Sequence, residues 1–177
     1  MHFNSTFRWG RRSSTLSAVL WLLALSVHAE IVDRVAIAIG HDAITESQIE
    51  EEIRVVDLLN HAPVQINLAS RRRAARQLIE QHFVTRETEV SHFPAPAEGE
   101  VKTYLQKVVD DYGGAKGLAR ALEQYGLARA VLEEHLTLQL RTLAFTRFRF
   151  PTDEALNRWL NEARRRTSVL YVDKELE

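Results

Sequence analysis

The residues that could carry catalysis or bind a metal lie along the chain without the spacing that such sites require. No pair of histidines follows the His-Glu-x-x-His pattern, which places two imidazoles on one helix face. There is no Gly-x-Ser-x-Gly turn for a nucleophile, and Gly113-Gly114 is too short to hold a phosphate. His82 and His92 could share a metal, but solvated or core positions are far more common for such histidines. We therefore expect no enzyme activity, no cofactor and no metal.

The charged clusters are also better explained as helix surface than as chemistry. Adjacent carboxylates such as Glu133-Glu134 and Asp110-Asp111 diverge around a helix, so neither pair can share a proton. Arginines 71, 72, 73 and 76 fall on the outer face of a predicted helix, where such a run is normally solvated. A cytosolic regulator that uses this helix on DNA is an alternative, and it requires that the N-terminal leader described next be misread.

Residues 1–29 have the pattern of a cleaved secretory leader. Arg8, Arg11 and Arg12 precede the apolar run 16–27, and Val27-His28-Ala29 offers a cleavage site before Glu30. The run has about twelve apolar residues, short of the roughly 20 that a spanning helix needs. The sequence therefore predicts an exported protein that starts at Glu30, without a stable membrane span. Removing the leader leaves 20 basic against 24 acidic residues, which argues against a nucleic-acid partner.

The first part of this predicted mature chain has the pattern of a β-hairpin followed by a capped helix. Val35, Ile37 and Ile39 alternate with alanines, as in a small buried strand, and 40–42 supply turn residues. Thr45 and Gln48 have the spacing of a capping box. In the helix that follows, Ile49, Ile53 and Val56 are expected to face the core, and Glu50, Glu51, Glu52 and Asp57 to face solvent.

The rest of the sequence predicts helices separated by short breaks. A helix is expected over about 70–85, another over 98–112, and a short one that ends at Gly126 in the left-handed conformation. A long helix should run from 127 or 128 to about 148, and a last one from Pro151 to Arg166. The segment 167–172 is typical of a strand, which we expect to pair with 35–39.

The long helix carries two apolar stripes. One contains Val131, Leu138 and Phe145, and the other contains Leu132, Leu136, Leu140 and Leu143. So wide an apolar arc is explained either by burial on two sides or by burial on one side and an exposed groove on the other.

The segment VDRVAIAIGHDAITESQIE resembles the start of mature SurA-family proteins, the periplasmic chaperones that escort unfolded outer-membrane proteins. The pattern from Tyr112 to Phe150 is similar to the helical module of that family. The ending WLNEARRRTSVLYV resembles its closing helix and strand. The resemblance implies a mainly α fold in one domain, 30–177, with a hairpin at 31–45, a helical module at 46–150 and a closing helix and strand at 151–177. A small sheet would join the hairpin to the last strand.

The family normally carries parvulin-type prolyl isomerase domains before its closing helix, whereas here Phe150 leads directly into Pro151. None of the family's catalytic residues can therefore be carried over to this sequence. The resemblance implies an ATP-independent, holdase-like chaperone that binds unfolded exported or outer-membrane proteins. If the leucine stripe is core, the candidate groove residues are Val131, Leu138, Phe145 and Tyr104. The alternative is a non-catalytic subunit or scaffold that binds one folded partner in an envelope complex.

Overall fold

The small sheet forms around the first strand, which pairs with a strand on each side. The computed structural model describes residues 33–177, so the predicted leader lies outside the described part. Within that part the strands are β1 (Val35–Ile39), β2 (Asp42–Thr45) and β3 (Val169–Tyr171). All neighbours are antiparallel, in the order β2-β1-β3, and Ile37 is opposite Ile44 on one side and Tyr171 on the other. The predicted pairing of the first and last strands is confirmed.

Six α-helices make up most of the described residues. They are α1 (Glu46–Leu59), α2 (Leu68–Val90), α3 (Glu98–Asp111), α4 (Ala115–Tyr125), α5 (Arg129–Arg149) and α6 (Asp153–Arg166). A 3₁₀ turn, Lys174–Leu176, follows β3. The predicted fold class, mainly α with a small sheet of hairpin and closing strand, is confirmed.

Local capping explains where several helices begin and end. The backbone N–H of Gln48 donates to Thr45 Oγ1, and that of Thr45 donates to Gln48 Oε1, so the predicted capping box starts α1. Gly126 ends α4 with φ of 65°, as predicted. The helix α2 is longer at both ends than the predicted 70–85. It starts earlier because Asn67 forms a second capping box with Ser70, and it continues to Val90.

Two apolar clusters make the core, and α1 contributes to both. The first joins the sheet to α1, α2 and α6 through residues such as Ile37, Ile49, Ile79, Phe83 and Leu160. The second joins the end of α1 to α3, α4 and α5 through Leu58, Val109, Leu118, Leu122, Leu132 and Leu136. The helix α5 therefore has different neighbours along its length, and this difference decides which of its apolar residues stay accessible.

Candidate binding surface

An open groove lies between α3 and the second half of α5. It has a volume of about 430 Å³, and its apolar lining comes from Tyr104 on α3 and from Leu140, Leu143 and Ala144 on α5. The side chain of Tyr104 is 43% exposed and that of Leu143 is 38% exposed. We call this feature the α3–α5 groove. Because these side chains are not covered by another described element, the groove offers apolar surface to a partner.

The lining of the α3–α5 groove includes one charged residue of each sign. Glu100 lies on α3 and Arg147 on α5, and Thr103 adds a hydroxyl. That hydroxyl donates to the Gly99 carbonyl within α3, so it is already partnered. The arrangement provides a largely apolar surface with few fixed polar contacts, which suits an extended apolar segment better than a small polar molecule.

A series of aromatic rings begins next to Arg147. Phe148 is 78% exposed and its ring lies 5.8 Å from that of Phe93. Phe93 contacts Phe145 edge-on at 5.3 Å, and Phe150 in turn lies 6.1 Å from Phe145 and 5.3 Å from Trp159. Packing of this kind stabilises the rings in fixed positions. Phe148 is therefore a solvent-exposed aromatic side chain that rests on half-buried Phe93, which in turn packs on buried Phe145.

The four predicted groove residues do not come together. Tyr104 lines the α3–α5 groove, but its apolar neighbours there are Leu140, Leu143 and Ala144. Val131 and Leu138 are half-buried and line a different cavity, between α1, α2 and α5. Phe145 is only 2% exposed, so its inclusion among accessible groove residues is corrected: Phe93 and Phe150 cover its ring.

The groove prediction was conditional on burial of the whole leucine stripe, and the structure divides that stripe. Leu132 and Leu136 are buried against α1, α3 and α4. Leu140 is half-buried and Leu143 is exposed, and both line the α3–α5 groove. The sequence shows the two stripes but not which neighbour covers each half of a 21-residue helix, so it cannot identify the open part.

One buried polar contact was missed altogether. Glu52 was expected on the solvent face of α1, but its side chain is 6% exposed, and Oε2 lies 3.3 Å from His135 Nδ1 on α5. The Oε1 atom of Glu52 is buried and has no hydrogen-bond partner among the described residues. A clue was present, because Glu52 follows Ile49 by three residues and precedes Val56 by four, which places it on the apolar face.

The histidine pair considered as a metal site is not assembled as one. His82 lies on α2, where its Nε2 is 3.7 Å from Asp42 Oδ2, and His92 is exposed in the turn after α2. Within residues 33–177, no group of three or more His, Cys, Asp or Glu side chains has the geometry to hold a metal ion.

Comparisons of the chain with protein-family models, with curated proteins and with solved structures find no match. None of the helices between residues 33 and 177 combines the length and the hydrophobicity needed to cross a bilayer.

Proposed function

We propose that this protein is an ATP-independent, holdase-like periplasmic chaperone that binds unfolded apolar segments of exported proteins, in particular those of the outer membrane. The observation that carries the proposal is the α3–α5 groove, in which Tyr104 and Leu143 are exposed. Exposed apolar side chains that line one groove are typical of interaction sites. The SurA-family resemblance and the predicted leader support the compartment and the client class.

The mechanism is reversible coverage of a client segment. An extended chain that lies along the groove removes its own apolar side chains, and those of Tyr104 and Leu143, from water, which favours binding by about 25 cal/mol for each Å² of apolar surface buried. Most of the accessible lining of the groove is apolar, so binding depends on the client's apolar side chains more than on its exact sequence. No step in this cycle requires nucleotide, and none changes a covalent bond.

The proposal is tested with the protein lacking residues 1–29 and a urea-unfolded outer-membrane barrel protein diluted into buffer. Light scattering should show suppressed aggregation at near-stoichiometric amounts without ATP. The variant Leu143→Asp should raise the concentration for half-suppression by about tenfold, because it puts a charge on the apolar wall. The control Leu68→Asp changes the same residue type at similar exposure, 43%, in the first turn of α2, and should have no effect.

Two results would contradict the proposal. If the well-folded protein does not suppress aggregation but forms a stoichiometric complex with one folded envelope protein, it is instead a non-catalytic partner-binding subunit or scaffold. Equal loss of suppression in Leu143→Asp and Leu68→Asp would place client binding outside the α3–α5 groove. A peptide assay of cis/trans proline exchange should show no acceleration, since no isomerase domain is expected.

A further inference from the structure

The carboxyl-terminal end of α5 exposes an aromatic ring between two cations. Phe148 is 78% exposed, the largest exposed fraction of any large apolar side chain within residues 33–177. Arg147 and Arg149 precede and follow it, and both are exposed. Successive residues of a helix are about 100° apart around its axis, so the two arginines project on either side of Phe148. We call these three residues the α5-end surface.

The arginines of the α5-end surface have no carboxylate partner in the described part of the chain. Neither Arg147 nor Arg149 forms a salt bridge there, whereas the three arginines at the end of α6 each pair with a glutamate. Residues 135–152 contain no Asp or Glu, although the whole chain has 24. Glu100 lines the α3–α5 groove together with Arg147 but is not paired with it. The two guanidinium groups are therefore available to an outside anion.

The ring of Phe148 rests on a fixed base. It lies 5.8 Å from the ring of Phe93, which packs edge-on against buried Phe145 at 5.3 Å. Arg141 donates to the carbonyl of Phe93 at 3.2 Å, which fixes the backbone at this position. Because this base is already packed, Phe148 cannot sink into the core, and most of its ring stays in water.

The size of the α5-end surface favours a membrane over a protein partner. A stable protein interface buries roughly 800 Å² on each partner, whereas one aromatic side chain buries about 150–250 Å². Attachment to a bilayer requires only apolar side chains at the boundary of the acyl chains and basic residues near anionic headgroups. A free phosphate ion would pair with the arginines but would leave Phe148 in water.

We propose that the α5-end surface attaches the protein reversibly to anionic phospholipid bilayers. Phe148 inserts between the headgroups, and the guanidinium groups of Arg147 and Arg149 donate hydrogen bonds to lipid phosphates. One ring and two cations provide a weak anchor, so the protein exchanges between the bilayer and solution. The inference goes beyond the proposed chaperone function, because it concerns where the protein is held rather than what its groove binds.

The test is sedimentation of the protein lacking residues 1–29 with vesicles of three parts phosphatidylcholine to one part phosphatidylglycerol. We expect binding that weakens as salt is added, and binding at least tenfold weaker to pure phosphatidylcholine. This protein has 20 basic and 24 acidic residues, so its net charge alone would oppose binding to anionic vesicles. No sedimentation with the anionic vesicles at low salt, or equal sedimentation with both kinds, would overturn the proposal.

Variants of the α5-end surface separate its two contributions. Phe148→Ser should weaken vesicle binding about tenfold, because the inserted apolar surface is lost. Arg147→Gln/Arg149→Gln should weaken it about fivefold for each arginine removed. All three side chains are exposed, so the variants are expected to fold, and circular dichroism checks this. Unchanged binding in either variant would contradict the proposal.

Two matched controls change the same properties elsewhere. Leu170→Ser removes an apolar side chain that is 53% exposed on β3. Lys116→Gln/Arg120→Gln removes two exposed cations from α4. Both controls should bind the anionic vesicles as the unchanged protein does. Losses equal to those of the α5-end variants would show that binding is not located at the end of α5.

Tryptophan fluorescence reports whether the ring enters the bilayer. Without residues 1–29, Trp159 is the only tryptophan in the chain, so Phe148→Trp/Trp159→Phe carries a single reporter in the α5-end surface. We expect a blue shift on addition of anionic vesicles, and quenching by lipids with brominated acyl chains. A bound protein whose reporter shows neither change would exclude insertion of this residue.

A last variant distinguishes the α5-end surface from the α3–α5 groove. Leu143→Ser lies in the groove and should leave vesicle binding unchanged. Loss of vesicle binding in Leu143→Ser, with binding retained in Phe148→Ser, would place the lipid in the groove and overturn the proposal. The aggregation assay contains no lipid, so failure of membrane attachment and failure of the chaperone function are distinguished.

Discussion

Gly117, in the first turn of α4, lies where a neighbouring backbone atom leaves no space for a side chain. A Cβ atom built at this position would overlap the carbonyl oxygen of Tyr112. Gly99, in the first turn of α3, has nothing within 4 Å of the same point. The two positions are both helical, so they differ mainly in the space available.

We expect Gly117→Ala to lower the free energy of unfolding by about 1–3 kcal/mol, because the turn between α3 and α4 must shift to admit a methyl group. Gly99→Ala should leave stability unchanged or raise it by up to about 1 kcal/mol, since alanine is the better helix former. Urea unfolding followed by circular dichroism measures both. Equal stability of the two variants would show that the contact with Tyr112 does not constrain the fold.

For charged residues, the sequence pattern does not reliably predict whether a side chain is buried. Glu52 was assigned to solvent by its residue type, although its spacing from Ile49 and Val56 places it on the buried face. Residue type predicts burial only on average, whereas the actual environment depends on His135, more than eighty positions away in the sequence.

At the scale of elements, two tyrosines secure the carboxyl end of α1. The hydroxyl of Tyr112 donates to the carbonyl of Leu58 at 2.6 Å, and that of Tyr125 donates to the carbonyl of Ala62 at 2.7 Å. These bonds tie the end of α1 to the ends of α3 and α4. Burial, assisted by nearby Tyr125, raises the pKa of Tyr112 from 10.0 to about 12.

This shift predicts a loss of stability in alkaline solution. Between pH 10 and about 12 the unfolded chain releases the Tyr112 proton while the folded protein keeps it, so the free energy of unfolding falls as pH rises. Tyr112→Phe should cost about 1 kcal/mol at neutral pH, from the lost hydrogen bond, and should make the alkaline fall shallower. Thermal unfolding at pH 8–12 tests this.

Tyr104→Phe is the control, since that side chain is 43% exposed in the α3–α5 groove. Its alkaline profile should match that of the unchanged protein. An unaltered slope in Tyr112→Phe would mean that the Tyr112 hydroxyl is not protected from ionisation by its surroundings.

The elements themselves were largely readable from the sequence, because caps and breaks are local. The Thr45–Gln48 box and Gly126 each act within a few residues of the boundary they set. The sequence did not predict which apolar residues in the second half of α5 are exposed. Leu143 and Phe145 are both apolar and only two positions apart, and only the placement of α3, Phe93 and Phe150 leaves the first exposed and buries the second.

For the whole molecule, the last residues complete the core built around the first strand. Leu176, in the 3₁₀ turn after β3, is 2% exposed within the first apolar cluster. Arg71 on α2 pairs with Asp173 at 3.0 Å, and Arg72 donates to the carbonyl of Glu175. The segment after α6 is therefore fixed to α2 as well as to the sheet.

Leu176→Ala should lower the free energy of unfolding by about 2–4 kcal/mol, through lost burial and the cavity left behind. Leu170→Ala removes the same atoms from a side chain that is 53% exposed on β3, and should cost about 0.5 kcal/mol or less. Denaturant unfolding of the protein lacking residues 1–29 compares them. Similar losses in both variants would show that the final turn does not close the core.

The sheet order β2-β1-β3 also has a consequence for the time course of folding. The neighbour of β1 on one side follows it directly, whereas the neighbour on the other side comes after all six helices. Contacts between residues so distant along the chain form slowly, because a long loop must close before they gain any stabilisation. A chain still being synthesised can form the hairpin and its helices, but β1 keeps an unpaired edge until residues 169–171 arrive.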